Sequence, residues 1–152
     1  MLGLDRAQEL GARESGLALV VTSRADGSPQ ASVVNAGVLV HPVISEPVVG
    51  FVARGGARKL ATLRMQPRVM VVFRSGWEWV ALEGDADLAG PNDHLQGLQA
   101  DDVPRLLREV YAAAVGSTED QWVELDATMA AERHTAVLFR ALHVYSNPAG
   151  SQ

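Results

Sequence analysis

The sequence predicts an α+β protein, mainly β, in which six antiparallel strands curl into a barrel or sandwich with helices at its periphery. Three observations carry this. Six runs are rich in Val, Ile and aromatic residues and are bounded by Gly, Pro or Asp, the composition of strands. Some connections between them are short, which favours antiparallel pairing. The helical patterns are too few to alternate with the strands, which disfavours a doubly wound α/β sheet.

Residues 1–15 read as a short helix. The strands are LALVVTS (17–23), SPQASVVNAGVLV (28–40), PVVGFVA (47–53), RVMVVFR (68–74), WEWVALEGDADL (77–88) and AVLFRALHVY (136–145). Asp26-Gly27 marks a hairpin between the first two, because a type I′ turn needs positive φ at its centre. Ser75-Gly76 turns the chain back between the fourth and fifth. A helix over 57–65 stops before Pro67, since the residue ahead of proline disfavours the helical region. A second covers about 101–115. Asp101 or Asp102 caps it, Pro104 suits its first turn, and Val103, Leu106, Leu107, Val110 and Tyr111 form one apolar stripe. A third runs over about 118–133. It opens on the capping box Thr118-Glu119-Asp120-Gln121, and Trp122, Leu125 and Met129 follow at helical spacing.

The 152 residues make one domain, 1–152, long enough to bury a core without staples. A net charge of −5 and a pI of 5.3 argue against a general nucleic-acid or anionic-membrane binder, since both need a basic face. With no cysteine, disulfides, thiolate chemistry and Cys-ligated zinc are excluded. The N-terminal segment carries Asp5 and Glu9 and no long apolar run, so it reads as neither signal nor membrane span, and a cytoplasmic protein is expected.

The unusual stretch is ARGGARKLATLR (53–64). The amide-rich end of a helix favours anions, yet here it carries Arg58 and Lys59. Gly55 and Gly56 let backbone approach a ligand, helix-start amides bind anions, and the two cations add charge-assisted hydrogen bonds to phosphate. Arg54 is near enough in sequence to help, and Arg64 and Arg68 are further candidates. A solvated basic helix explains the spacing equally well. Gln30 and Ser32 share a strand face and suit a heterocycle edge or a phosphate, or else the polar outer face of a strand. Trp77 and Trp79 wall a flat cofactor, pack at an interface, or fill a core. His41, His94, His134 and His143 show no metal spacing and read as structural or surface residues. No metal site and no catalytic nucleophile is expected, and no side chain is singled out as catalytic.

In this order the segments resemble the FMN-binding split β-barrel superfamily, which includes pyridoxamine 5′-phosphate oxidase and the flavin/deazaflavin oxidoreductases. LALVVTSRADGSPQASVV, GARKLATLRMQPRVMVVF, GWEWVALEGDADL and the closing LHVYSNPAG carry the resemblance, which spans roughly residues 10–148. It implies a six-stranded split barrel and a homodimer with two cofactors at its interface. The cofactor implied is the deazaflavin F-420, with FMN as the alternative, and the reaction is hydride transfer to an unsaturated small molecule. A carrier or sensor without turnover is the other reading. By resemblance Lys59 binds the cofactor phosphate and Arg58 precedes it as in many members. Gln30 and Ser32 lie on the strand that touches the ring, and Trp77 and Trp79 reach the partner subunit's cofactor. Some relatives carry an arginine where this chain has Ala57, a position that Arg54 or Arg58 can compensate.

Overall fold

The computed structural model describes residues 2–116 and 119–147. Helix α1 (Leu2–Arg13) leads into β1 (Leu17–Ser23) and β2 (Pro29–Val40). Between the two strands Gly27 sits at φ 87°, and Ser28 donates both its N–H and its hydroxyl to Asp26 Oδ1. There follow β3 (Pro47–Ala53), α2 (Arg58–Met65), β4 (Arg68–Ser75) and β5 (Glu78–Asp85), with Gly76 at φ 62° turning β4 into β5. The chain ends with β6 (Asp87–Ala89), α3 (Val103–Val115), α4 (Trp122–Ala131), β7 (Thr135–Phe139) and β8 (His143–Ser146).

The sheet has eight strands, not six, because two of the expected runs are each two strands. The run 77–88 breaks at Ala86 and the run 136–145 breaks over 140–142. The strand order is β6-β7-β3-β2-β1-β4-β5-β8, and every pairing is antiparallel. One residue therefore joins β5, near one end of that order, to β6 at the other, and three residues join β7 to β8 the same way. Both links can be made only if the sheet curls until its ends approach. Hydrogen bonds hold the kinks: Ala86 N–H donates to Pro67 O and Leu142 N–H to Glu83 O, each at 2.8 Å. β2 spans the curl unbroken. Its residues 29–35 pair with β1 and 36–40 with β3. At the bend Gly37 faces α3, and a Cβ there would lie 2.3 Å from the Ala113 carbonyl oxygen.

The curled sheet has a filled interior and two unlike exteriors. Val20, Val71, Phe73, Leu82, Phe51, Val137 and Phe139 point inward, where Leu10 of α1 and Leu60 and Leu63 of α2 close over them. β3 and β7 are buried on both faces, because α3 and α4 cover their other side through Leu106, Leu107, Val110 and Met129 against Val48, Ala136 and Leu138. That is why PVVGFVA and the AVLF of β7 are apolar instead of alternating. β1, β4 and β5 turn their second face outward without a covering helix. Along β1 buried Ala18, Val20 and Thr22 alternate with Leu17, Leu19 and Val21, as a half-covered strand should.

The helix starts differ in detail from expectation. A 3-10 turn over Ala100–Asp102 runs straight into α3, so Asp102 has helical φ and ψ and makes no capping bond. A 3-10 turn, Glu119–Gln121, likewise precedes α4, and Thr118 of the expected capping box lies outside the described residues, as do Pro148–Gly150 of the closing motif. Among the described residues no helix is long and apolar enough to cross a membrane.

Candidate functional site

Helix α2 begins in an electrostatically unusual way. Its N-cap is Ala57, which has extended backbone and no side chain able to cap. Ala57 instead packs its methyl group against the core. The first turn holds no acid, so the amides of Arg58 and Lys59 receive no side-chain acceptor. Lys59 is half-buried and makes no hydrogen bond or ion pair among the described residues. Burial pushes its ammonium below the ordinary lysine range, since desolvation disfavours the charged form. Arg58 beside it is exposed. The start of α2 is thus uncapped and stands beside a partly desolvated cation that has no partner among the described residues.

The two glycines ahead of it do different work. A Cβ on Gly55 would lie 2.8 Å from the Arg133 carbonyl oxygen, and Gly55 N–H donates to Glu132 O at 3.1 Å. Gly55 is thus required by packing against the turn after α4. A Cβ on Gly56 would meet nothing within 4 Å, so its backbone faces open space. Close approach of a ligand is available at Gly56 alone of the pair.

Gln30 and Ser32 point inward, not to the outer face. They pair with Thr22 and Val20 of β1, which are buried, and residues directly opposite share a face. Thr62 Oγ1 donates to Gln30 Oε1 at 3.3 Å. Thr62 lies three residues after Lys59, so both occupy one side of α2. The structure thereby brings Gln30, Thr62 and Lys59 to one corner, beneath which the Thr22 hydroxyl is buried without a hydrogen-bond partner among the described residues. Thr62 was not among the expected residues; its helical spacing from Lys59 was the available signal.

The other arginines are largely engaged. Arg64 makes a two-pronged pair with Asp93, Nε at 2.8 Å and Nη2 at 2.6 Å. Arg54 pairs with Glu132 at 3.2 Å, Arg68 with Asp85 at 3.4 Å, and Arg74 donates to the Gly76 carbonyl at 2.8 Å.

Trp77 and Trp79 are not in this corner. Gln30 and Thr22 share a row with Val69, whereas Trp79 pairs with Arg74, five residues along β4, or roughly 17 Å at 3.3 Å per residue. Trp77 lies in the turn, 71% exposed, and its carbonyl accepts from Asn147 Nδ2 at 2.7 Å. Trp79 meets Tyr145 edge-on at 6.0 Å. Beside them runs the uncovered sheet face, where Leu17, Leu19 (42% exposed), Val33 (65%) and Tyr145 stand in the open. Leu19 pairs with both Val33 and Val72, so these side chains form one continuous apolar row.

Two histidines have carboxylate partners that sequence spacing did not show. His41, 2% exposed, accepts the N–H groups of Val43 and Ile44 at Nδ1, so its Nε2 carries the proton and donates to Asp87 Oδ2 at 3.0 Å. His134 Nε2 lies 2.8 Å from Glu132 Oε2. His41 pins the loop between β2 and β3 and is structural.

The strand order, with two runs crossing from one end of the curl to the other, decides the architecture. This chain has the pyridoxamine 5′-phosphate oxidase-like fold. A conserved hypothetical protein of Mycobacterium tuberculosis matches it with a TM-score of 0.65 at 18% identity, over 95% of this chain and 89% of the other. A pyridoxamine 5′-phosphate oxidase-related, FMN-binding protein of Nostoc punctiforme matches with 0.62 at 16% identity, over 95% and 80%. A Clostridium acetobutylicum protein related to general stress protein 26, of the pyridoxinephosphate oxidase family, gives 0.61 at 14%, over 97% and 89%. At these identities the likeness to the oxidase-like fold is one of architecture. No protein-family model matches the chain, and no curated protein matches its sequence.

Proposed function

We propose that this protein binds a phosphorylated flavin-type cofactor at the start of α2 and acts as a cofactor-dependent oxidoreductase on a small molecule. The observation that carries the reading is Lys59, a half-buried ammonium without a partner among the described residues, at a helix start whose N-cap cannot cap. A phosphate there meets the Lys59 ammonium, the Arg58 guanidinium and the amides of the first turn. Gly56 leaves room for its approach. Gln30, held by Thr62, offers its amide to a ring edge, and Ser32 follows on the same inward face. A bound flavin or deazaflavin supplies hydride transfer, and the chain's part is to orient the ring and exclude water.

Of the two cofactors, FMN suits the supply of cations better. Coenzyme F-420 adds an acidic tail, and the arginines that would meet it are spent: Arg64 on Asp93, Arg54 on Glu132 and Arg74 on its own turn. The FMN-binding Nostoc protein of the same fold supports the same choice. The homodimer reading rests on the apolar row around Leu19 and Val33, which a second copy would cover. Trp77 and Trp79 border that face and would meet the cofactor of the partner subunit.

Side-by-side fluorescence titrations with FMN and F-420 test the reading. Micromolar binding of FMN, weaker for F-420, is the expected result. If neither binds, the cofactor reading fails and the basic helix start is only a solvated surface. Protein loaded with reduced cofactor is then exposed to enones and quinones. Cofactor that binds but is never oxidised by them marks a carrier or sensor instead of an enzyme.

A further inference from the structure

A cavity of about 520 Å³ opens between the loop 90–98, the start of α3 and the second half of α4. None of the residues assigned above to the phosphate corner lines it. Its volume falls in the range of small-molecule sites, and such sites are mostly apolar with a few placed polar groups. Leu98, Val103, Leu107 and Met129 give it an apolar body. Its titratable groups are two carboxylates and the imidazoles of His94 and His134. Asp93 and Asp126 line it, and no lysine or arginine does. Asp93 is neutralised by Arg64, which grips both its oxygens. Asp126 is not balanced so fully. Arg108 Nε approaches its Oδ1 at 3.4 Å as an ion pair but without hydrogen-bond alignment, and the guanidinium is drawn over the Trp122 ring at 4.9 Å.

Two acceptors in the wall also lack a donor. Asp126 Oδ1 and His134 Nδ1 are buried with no hydrogen-bond partner among the described residues. His134 Nε2 faces the Glu132 carboxylate at 2.8 Å, so the ring proton belongs there and Nδ1 is left as an acceptor. Both orphan atoms therefore accept, and each is open to a donor group on a ligand; the donors on the wall, the Asn92 amide and the His94 ring, are uncharged or only weakly basic. The Asp126 side chain is 39% exposed, so it is not sealed off by its neighbours. We infer that this cavity is a second binding site, one that takes a compact apolar molecule carrying an amine in preference to one carrying an anion. It is the electrostatic opposite of the phosphate corner, which presents Arg58 and Lys59.

The test uses 2-phenylethylamine and its anionic counterpart 3-phenylpropanoate, followed by amide NMR shifts on the intact protein. The amine should shift residues of the loop 90–98, the start of α3 and α4, and should bind about tenfold or more tighter than the carboxylate, the scale of a charged hydrogen bond. Ala130 lines the cavity from an exposed position, so Ala130→Trp fills the space without entering the core. This variant should lose amine binding while its FMN titration stays at the wild-type value, which separates this site from the cofactor reading. Asp126→Asn should weaken the amine and leave the carboxylate no weaker. The inference is overturned if the amine gives no shifts at millimolar concentration, if the carboxylate binds as tightly, or if folded Ala130→Trp binds the amine unchanged. The comparison of the two probes needs no variant and stands even if a substitution fails to fold.

Discussion

Replacing Lys59 should move cofactor affinity and free-protein stability in different directions. In the free protein the ammonium is half-buried, unpaired among the described residues and held below its ordinary range by desolvation. It contributes no ion pair to lose. Lys59→Met keeps an unbranched apolar stem and removes the charge, so unfolding by urea should occur at the same or a higher denaturant concentration. The cofactor phosphate loses a charged hydrogen bond, worth about 1.5–3 kcal/mol, so Kd should rise about 10- to 150-fold in a fluorescence titration. The pH dependence follows from the direction of the shift. Lys59 is easier to deprotonate in the folded protein than in the unfolded chain, so the unfolded chain binds more protons between the lowered folded pKa and the ordinary value of 10.5. Stability from this group therefore rises with pH across that window, and the rise should be absent in Lys59→Met. Cofactor affinity runs the other way and falls as pH climbs through the folded pKa. An unchanged Kd removes Lys59 from the site. A marked loss of stability without cofactor shows that the lysine is structural and refutes the reasoning.

Val33→Glu places a charge on the uncovered sheet face, so wild-type protein should sediment as a dimer and the variant as a monomer with unaltered circular dichroism; a wild-type monomer sinks the dimer reading. Gly37→Ala pushes a methyl group to within 2.3 Å of the Ala113 carbonyl oxygen, where backbone must yield. It should lower stability by about 1–3 kcal/mol in urea titrations, the cost of overpacking. An unchanged midpoint would mean that α3 is free to retreat from β2.

The strands that sequence identified best are those whose ends carry their own chemistry. Gly27 and Gly76 supply positive φ (Asp26 does not, so the first hairpin closes without the expected type I′ turn), and Pro67 follows the end of α2, so β1, β2, β4 and α2 fall where the residues place them. The two missed breaks lack such punctuation. Asp85-Ala86-Asp87 and Arg140-Ala141-Leu142 contain neither Gly nor Pro, and each chain segment bends because its two halves pair with opposite ends of a curled sheet. A break imposed by distant partners leaves no local mark. The same limit governs the site. Period-two spacing put Gln30 and Ser32 on one face, but only pairing with Thr22 and Val20 shows that this face is the interior. The cavity between α3 and α4 draws its lining from two stretches far apart in the chain, 90–107 and 126–134, so no spacing in the sequence announces it.

The two crossing runs also bear on how the molecule moves and forms. β6 and β8 sit at the edges of the sheet with three and four residues, lengths that would normally fray. Each is tethered through a few residues of backbone to a strand at the opposite end of the curl. Peeling one edge thus pulls on the other, and opening should require much of the barrel to come apart together. The same stitching delays assembly, since neither edge can dock before the distant strands have met, and contacts of long sequence separation fold slowly. Amide exchange in β6 that tracks global unfolding, not local fraying, would be the visible trace of that closure.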